Sequence, residues 1–157
     1  MKQLLIGIGS PYGDDQLGWM IIDELSQQTQ LCEHLTLYKS KGSGTDWYTL
    51  LPGHERLVFF DALISLKPPG SIINIKSNEL DQAFAQRRHS THGISLSESI
   101  SLADTLGLLT IPVQVFGVSV GTCPSNNQLS DILLCCIPSI ADDLAETIKL
   151  SSSAVET

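Results

Sequence analysis

Apolar positions along the chain follow two rhythms. Short apolar runs, rich in β-branched and aromatic residues, fall at residues 3–8, 35–38, 56–60, 71–75 and 113–120. Runs of this length predict strands of a buried sheet. Between them the apolar residues recur at helical spacing. Leu17, Met20, Ile21 and Leu25 predict a helix over residues 15–27. A shorter helix is expected at 46–51, ended by Pro52-Gly53. A third covers 96–106, where Ser95-Leu96-Ser97-Glu98 fits a capping box and Gly107 sits where a helix-ending glycine belongs. The last spans 129–148, with Leu129, Leu133, Ile137, Ile140, Leu144 and Ile148 on one side and Pro138 expected to kink or divide it. Strands alternating with helices predict an α/β fold. The expected form is a single-domain three-layer α/β/α sandwich over residues 1–150, with a mostly parallel sheet of about five strands. Residues 151–157 are polar and expected to fray.

The most informative turn follows the first strand: Gly7-Ile8-Gly9-Ser10-Pro11-Tyr12-Gly13-Asp14-Asp15. A glycine-rich strand-to-helix turn usually cradles phosphate on its backbone N–H groups. Here two carboxylates occupy that place, so the turn repels a pyrophosphate and attracts a cation. Sites in parallel sheets form outside the carboxyl ends of strands. Asp15 lies beyond the first strand and Asp61 directly after the 57–60 run. If those strands are parallel neighbours, both carboxylates line one crevice. His92, in Ser90-Thr91-His92-Gly93 before the third helix, is the third candidate. Two carboxylates and an imidazole suit nickel, zinc or cadmium, and the sequence does not rank them. Each residue also has a plainer reading: Asp15 as a helix cap, Asp61 as a turn closure, His92 as a surface loop residue. Asp14 is expected to face solvent or cap the helix, and His89 to be an exposed neighbour of His92. His34 and His54 fall in turns away from the crevice, and Lys39 and Lys41 read as ordinary exposed lysines.

Composition narrows the function. A net charge of −8 with no basic stripe argues against a nucleic-acid partner, and Arg87-Arg88 reads as isolated loop charge. The longest apolar stretch, 111–120, carries Pro112 and Gln114 and is too short to span a bilayer. No signal peptide is visible. Cys32, Cys123, Cys135 and Cys136 lack C-x-x-C spacing and read as reduced, mostly core thiols of a cytoplasmic protein. The chain contains neither a G-x-S-x-G elbow nor an H-E-x-x-H motif, which disfavours a serine hydrolase and excludes a zincin.

The segment from Gly7 to Gly18 resembles the opening signature of the hydrogenase maturation endopeptidases, a strand followed by G-x-G-N-x-x-x-x-D-D/E-x-x-G. Phe60-Asp61-Ala62, with Pro69-Gly70 after it, resembles that family's second-carboxylate motif. Ser90-Thr91-His92-Gly93, followed by Leu96 and Leu106-Gly107, resembles its histidine motif, and Gly42-Ser43-Gly44-Thr45 its D-G-G-T stretch. The likeness runs from about residue 2 to 148. It implies an α/β/α endopeptidase that clips a C-terminal extension from the large-subunit precursor of a nickel–iron hydrogenase. It also implies a metal site of Asp15, Asp61 and His92, where the metal is the nickel carried by the precursor and no organic cofactor is used. A monomer in transient contact with the precursor is expected. Three departures stand out: Ser10 replaces the usual asparagine, the loop from Gly9 to Asp15 is one residue short, and Gly42 stands where many members have aspartate. Two other readings remain open. One is an NAD(P)-binding oxidoreductase using Gly7, Gly9 and Gly13. The other is a chaperone that binds nickel or the precursor without cutting.

Overall fold

A computed structural model of the chain describes residues 2–28, 34–40, 44–84, 94–125 and 127–155. Its centre is one five-stranded sheet in the order β2-β1-β3-β5-β4. The strands are β1 Gln3–Ile8, β2 Leu35–Ser40, β3 Arg56–Leu63, β4 Ile72–Ile75 and β5 Val113–Ser119. β1, β2, β3 and β5 run parallel, and β4 is antiparallel to β5. Helices α1 Leu17–Ser26, α2 Leu80–Ala83, α3 Leu96–Thr105 and α4 Asp131–Val155 complete the fold, with 3₁₀ turns at Gly13–Gln16, Tyr48–Leu50 and Ser77–Glu79. The expected α/β architecture with a mostly parallel sheet is the one observed.

Alternation along the central strands sorts the core into two layers. Leu5 of β1, Val58, Phe60 and Ala62 of β3, and Phe116 and Val118 of β5 pack with Leu17, Ile21 and Leu25 of α1 and Leu133, Ile137, Ile140 and Leu144 of α4. Leu4, Ile6, Leu57, Phe59, Leu63 and Val115 face the other way, against Trp47, Leu51, Leu80 and Ala103. Burying each such side chain contributes about 1.5–3 kcal/mol. Trp47, fully buried, sets its ring edge-on to Phe59 at 5.1 Å and donates from Nε1 to Ser99 Oγ at 3.0 Å. That bond ties α3 to its face of the sheet.

Several boundaries differ from expectation. β3 continues through Asp61, which pairs with Gly117, as far as Leu63 opposite Ser119. The first helix is preceded by the 3₁₀ turn Gly13–Gln16, and the expected helix at 46–51 is the 3₁₀ turn Tyr48–Leu50. α2 has only four residues, too few to show a periodic pattern. α4 runs beyond 148 to Val155, and Pro138, exposed on its surface, does not divide it. At α3 the capping box holds: Ser95 Oγ accepts from Glu98 N at 3.1 Å, and Gly107 takes φ 73° just past the end.

At the amino edge of the sheet, buried Arg56 donates to the side chains of Gln3 and Gln114 and to the Ile148 carbonyl. One guanidinium thereby joins β1, β3, β5 and α4. Burial lowers its pKa. The opposite, carboxyl edge carries the candidate chemistry.

Candidate active site

The strand order reverses at β1: β2 lies to one side of it, β3 and β5 to the other. The crevice beyond the carboxyl ends of β1 and β3 is therefore the switch point where open parallel sheets place ligands. Gly7 pairs with Phe60, so Asp61 stands one position past the last paired residue of β3 with β1. The 3₁₀ turn that carries Asp14 and Asp15 packs against β3. The two strands are parallel neighbours, as the sequence argument required.

The turn is folded on itself. Ser10 N donates to Asp15 O at 3.1 Å, Asp15 N to Tyr12 O at 3.1 Å, and Asp14 N to Ser125 O at 2.9 Å. Tyr12 N reaches Ser10 Oγ at 3.4 Å. Four amides that a phosphate would need are thus engaged within the protein. The glycines have packing reasons instead. A β-carbon on Gly9 would lie 2.7 Å from the Asp15 carbonyl oxygen, and Gly13 adopts φ 56°.

Asp15 is half-buried within this turn. Asp61 is buried, 5 % exposed, in the row Leu57, Phe59, Asp61, Leu63 that faces the α3 layer. Burial raises its pKa well above the ordinary value, and the backbone N–H of Ala62 offsets part of that rise. A nearby cation would favour the charged form. A buried carboxyl group with a strongly perturbed pKa, beside a sheet's switch point, marks a candidate functional residue.

His92 lies outside the described residues, as do His89, Arg87, Arg88, Lys41, Gly42, Ser43 and Cys32. Described chain resumes at Ile94, which meets Gly44 (φ 79°), and Ser95 caps α3 on the face that Asp61 addresses. Among the described residues, no three His, Cys, Asp or Glu side chains form a cluster able to hold a metal.

Asp14 is not exposed. It is 2 % accessible, and its carboxylate accepts from Ser125 N and Ser130 N at 2.8 Å each and from Ser130 Oγ at 2.9 Å. The expectation of a solvent-facing or helix-capping residue fails because its partners come from the distant β5–α4 connection. A cavity of about 470 Å³ opens there, lined by Asp14, Ser65–Pro69, Val120–Cys123, Ser125, Ser130 and Ile132, with neither Asp15 nor Asp61 in its wall. Asp46, also unremarked in the sequence, accepts from Tyr38 Oη at 3.0 Å and Ser40 Oγ at 2.8 Å and fixes the stretch after Gly44 against β2.

The remaining candidates are structural. Lys39 pairs with Asp23 at 2.9 Å. His54 bridges the Leu50 carbonyl and Thr36 Oγ1 at 2.7 Å each, and His34 is exposed. The expectation of mostly core thiols is corrected: Cys123 and Cys135 are exposed and Cys136 is half-buried, because Cys135 lies on the outer side of α4. Among the described residues, no helix is long and apolar enough to cross a membrane.

No family model matches the chain. Over 105 residues, 66% of its length, it is 24% identical to the hydrogenase expression/formation protein HupD of Rhizobium leguminosarum bv. viciae and 26% identical to HupD of Bradyrhizobium diazoefficiens. The matches cover 52% and 55% of those proteins, so the chain spans about half the length of these curated relatives. An endopeptidase from Escherichia coli superimposes with a TM-score of 0.72 at 18% identity, covering 96% of this chain and 94% of that one. The NiFe hydrogenase maturation protease HycI from Thermococcus kodakarensis KOD1 gives 0.70 at 17% identity over 94% and 92%. The chain is thus similar in sequence to HupD, and its fold is that of solved hydrogenase maturation proteases. The maturating endopeptidase HybD of E. coli agrees, with a TM-score of 0.67 at 19% identity over 96% and 94%. The likeness of fold thus covers more than nine-tenths of the chain in each of these three structures.

Proposed function

We propose that the chain is an endopeptidase that removes a C-terminal extension from a nickel-loaded hydrogenase large-subunit precursor. The observation that carries this reading is the pairing of the Asp15 turn with the Asp61 strand at the switch point of a sheet with this fold. Asp15, Asp61 and His92 engage the nickel that arrives on the precursor. The metal is part of the substrate, and no organic cofactor is involved. Hard carboxylates and one borderline imidazole suit a divalent first-row ion.

Held at the crevice, the nickel anchors the precursor so that its tail crosses the carboxyl edge of the sheet in fixed geometry. Positioning of this kind supplies a large share of a peptidase's rate advantage. A nickel already ligated by the precursor has little capacity left to activate water, so recognition and orientation are the main roles assigned to the trio. The partner is the precursor, met transiently by a monomer in the cytoplasm. A dinucleotide-binding reading is disfavoured by the engaged amides of the first turn.

Intact-mass measurement of the precursor after incubation tests the reading. The wild-type chain shortens it by one discrete fragment, and Asp15→Ala, Asp61→Ala and His92→Ala leave it at full length. A precursor bound but never shortened by the wild type would establish a chaperone instead.

A further inference from the structure

We propose that Asp14 is a positioning residue, which sets the orientation of Asp15 by locking the first turn to the start of α4. The inference rests on the functional reading above and assigns Asp14 a place in it. Asp14 and Asp15 are adjacent in the chain but face different surroundings. Asp14 is almost fully buried and turned toward the β5–α4 connection, whereas Asp15 is half-buried and belongs to the turn packed on β3.

The lock has four bonds. Asp14 N donates to Ser125 O at 2.9 Å. Its carboxylate accepts from Ser125 N, Ser130 N and Ser130 Oγ, all within 2.8–2.9 Å. Ser125 therefore gives and receives, which fixes both the height and the tilt of the turn. Ser130 directly precedes α4, so the carboxylate also lies at the positive end of that helix dipole. A buried carboxylate with three donors is strongly held, since hydrogen bonds to charged groups are the stronger ones.

Within the turn, two bonds transmit this constraint to Asp15: Asp15 N to Tyr12 O and Ser10 N to Asp15 O, both at 3.1 Å. The 3₁₀ turn between Gly13 and Gln16 leaves little slack, and Gly13 is itself buried with a positive φ. Rotation of Asp14 away from Ser125 and Ser130 would carry Asp15 with it. A misplacement of about 1 Å at a reacting or anchoring group costs up to roughly 100-fold in rate.

Asp14→Asn is the first test. Its amide can satisfy one oxygen's worth of donors but must turn an N–H₂ toward a backbone N–H, so the lock loosens without removal of the side chain. Kinetics are measured on the nickel-loaded precursor at a temperature where circular dichroism shows the variant folded. The expected result is a fall in kcat/KM of about tenfold or more, with faster amide exchange at Ser125 and Ser130. Ser130→Ala and Ser130→Thr form a second pair that removes or keeps one hydroxyl donor and spares the carboxylate. Ala should weaken processing and Thr should restore it. Wild-type kcat/KM in folded Asp14→Asn and in Ser130→Ala, with amide exchange accelerated, would overturn the positioning role. A wild-type chain that leaves the precursor uncut would instead defeat the functional reading itself, while the exchange data still report on the lock.

Discussion

Gly7 lies directly against the backbone of Gly18: a β-carbon on either residue would overlap the opposing strand or helix backbone. This contact lets α1 settle onto β1 closely enough to bring the 3₁₀ turn, and Asp15 with it, against β3. Gly7, the first glycine of the pattern that looks like a nucleotide fingerprint, is therefore a spacer for helix–strand packing.

Gly7→Ala should disturb that approach. Overpacking a closed contact costs typically about 1–3 kcal/mol, and here the obstacle is backbone, which yields poorly. Urea unfolding is expected to show the loss, and processing should fall along with it. A variant as stable as the parent would mean that α1 can shift freely.

Ser99 offers a cleaner measure of core polarity. Its hydroxyl accepts from Trp47 Nε1 and donates to the Gly44 carbonyl. Ser99→Ala leaves a buried indole N–H and a carbonyl without that partner, at a cost of about 1–3 kcal/mol. Chemical denaturation is the appropriate measurement. Trp47 fluorescence should also shift, because the indole is fully buried beside the lost bond.

Asp61 predicts a particular pH dependence. Its folded-state pKa lies well above the ordinary value of 3.8, chiefly through burial. The folded state then holds a proton that the unfolded state has released, so stability falls as pH rises from about 3.8 toward the folded value. Asp61→Asn, neutral throughout, escapes this loss. The stability advantage of the Asn variant should widen with pH across that window and then level off, and the variant is expected to lose processing. A difference constant with pH would show that Asp61 titrates normally.

Much of this was legible in the chain. The 3–8 strand was read to the residue because it is a short apolar run ended by Gly9, and the α3 cap because its bond is local, Glu98 to Ser95. β3 was read short because a carboxylate looks like the end of an apolar strand, yet pairing with β5 carries the strand through it. The burial of Asp14 is not legible in the chain because its partners stand 111 and 116 residues away. No local spacing encodes such a contact. The contacts of Asp46 are hidden for a related reason: its donors, Tyr38 and Ser40, belong to a strand it packs against only after the sheet has formed.

The cap itself gives a modest check on the local reading. Ser95→Ala should cost about 0.5–2 kcal/mol by removing the acceptor for Glu98 N. Thermal unfolding would register it as a small drop in Tm. Ser95→Asp, which keeps an acceptor, should recover most of it.

In the proposed function, nickel in the precursor licenses the cut. The decisive measurement is side-by-side incubation of the chain with nickel-loaded and nickel-free precursor, followed by intact mass spectrometry. Shortening of the loaded form alone is the predicted result. Equal shortening of both forms would contradict it.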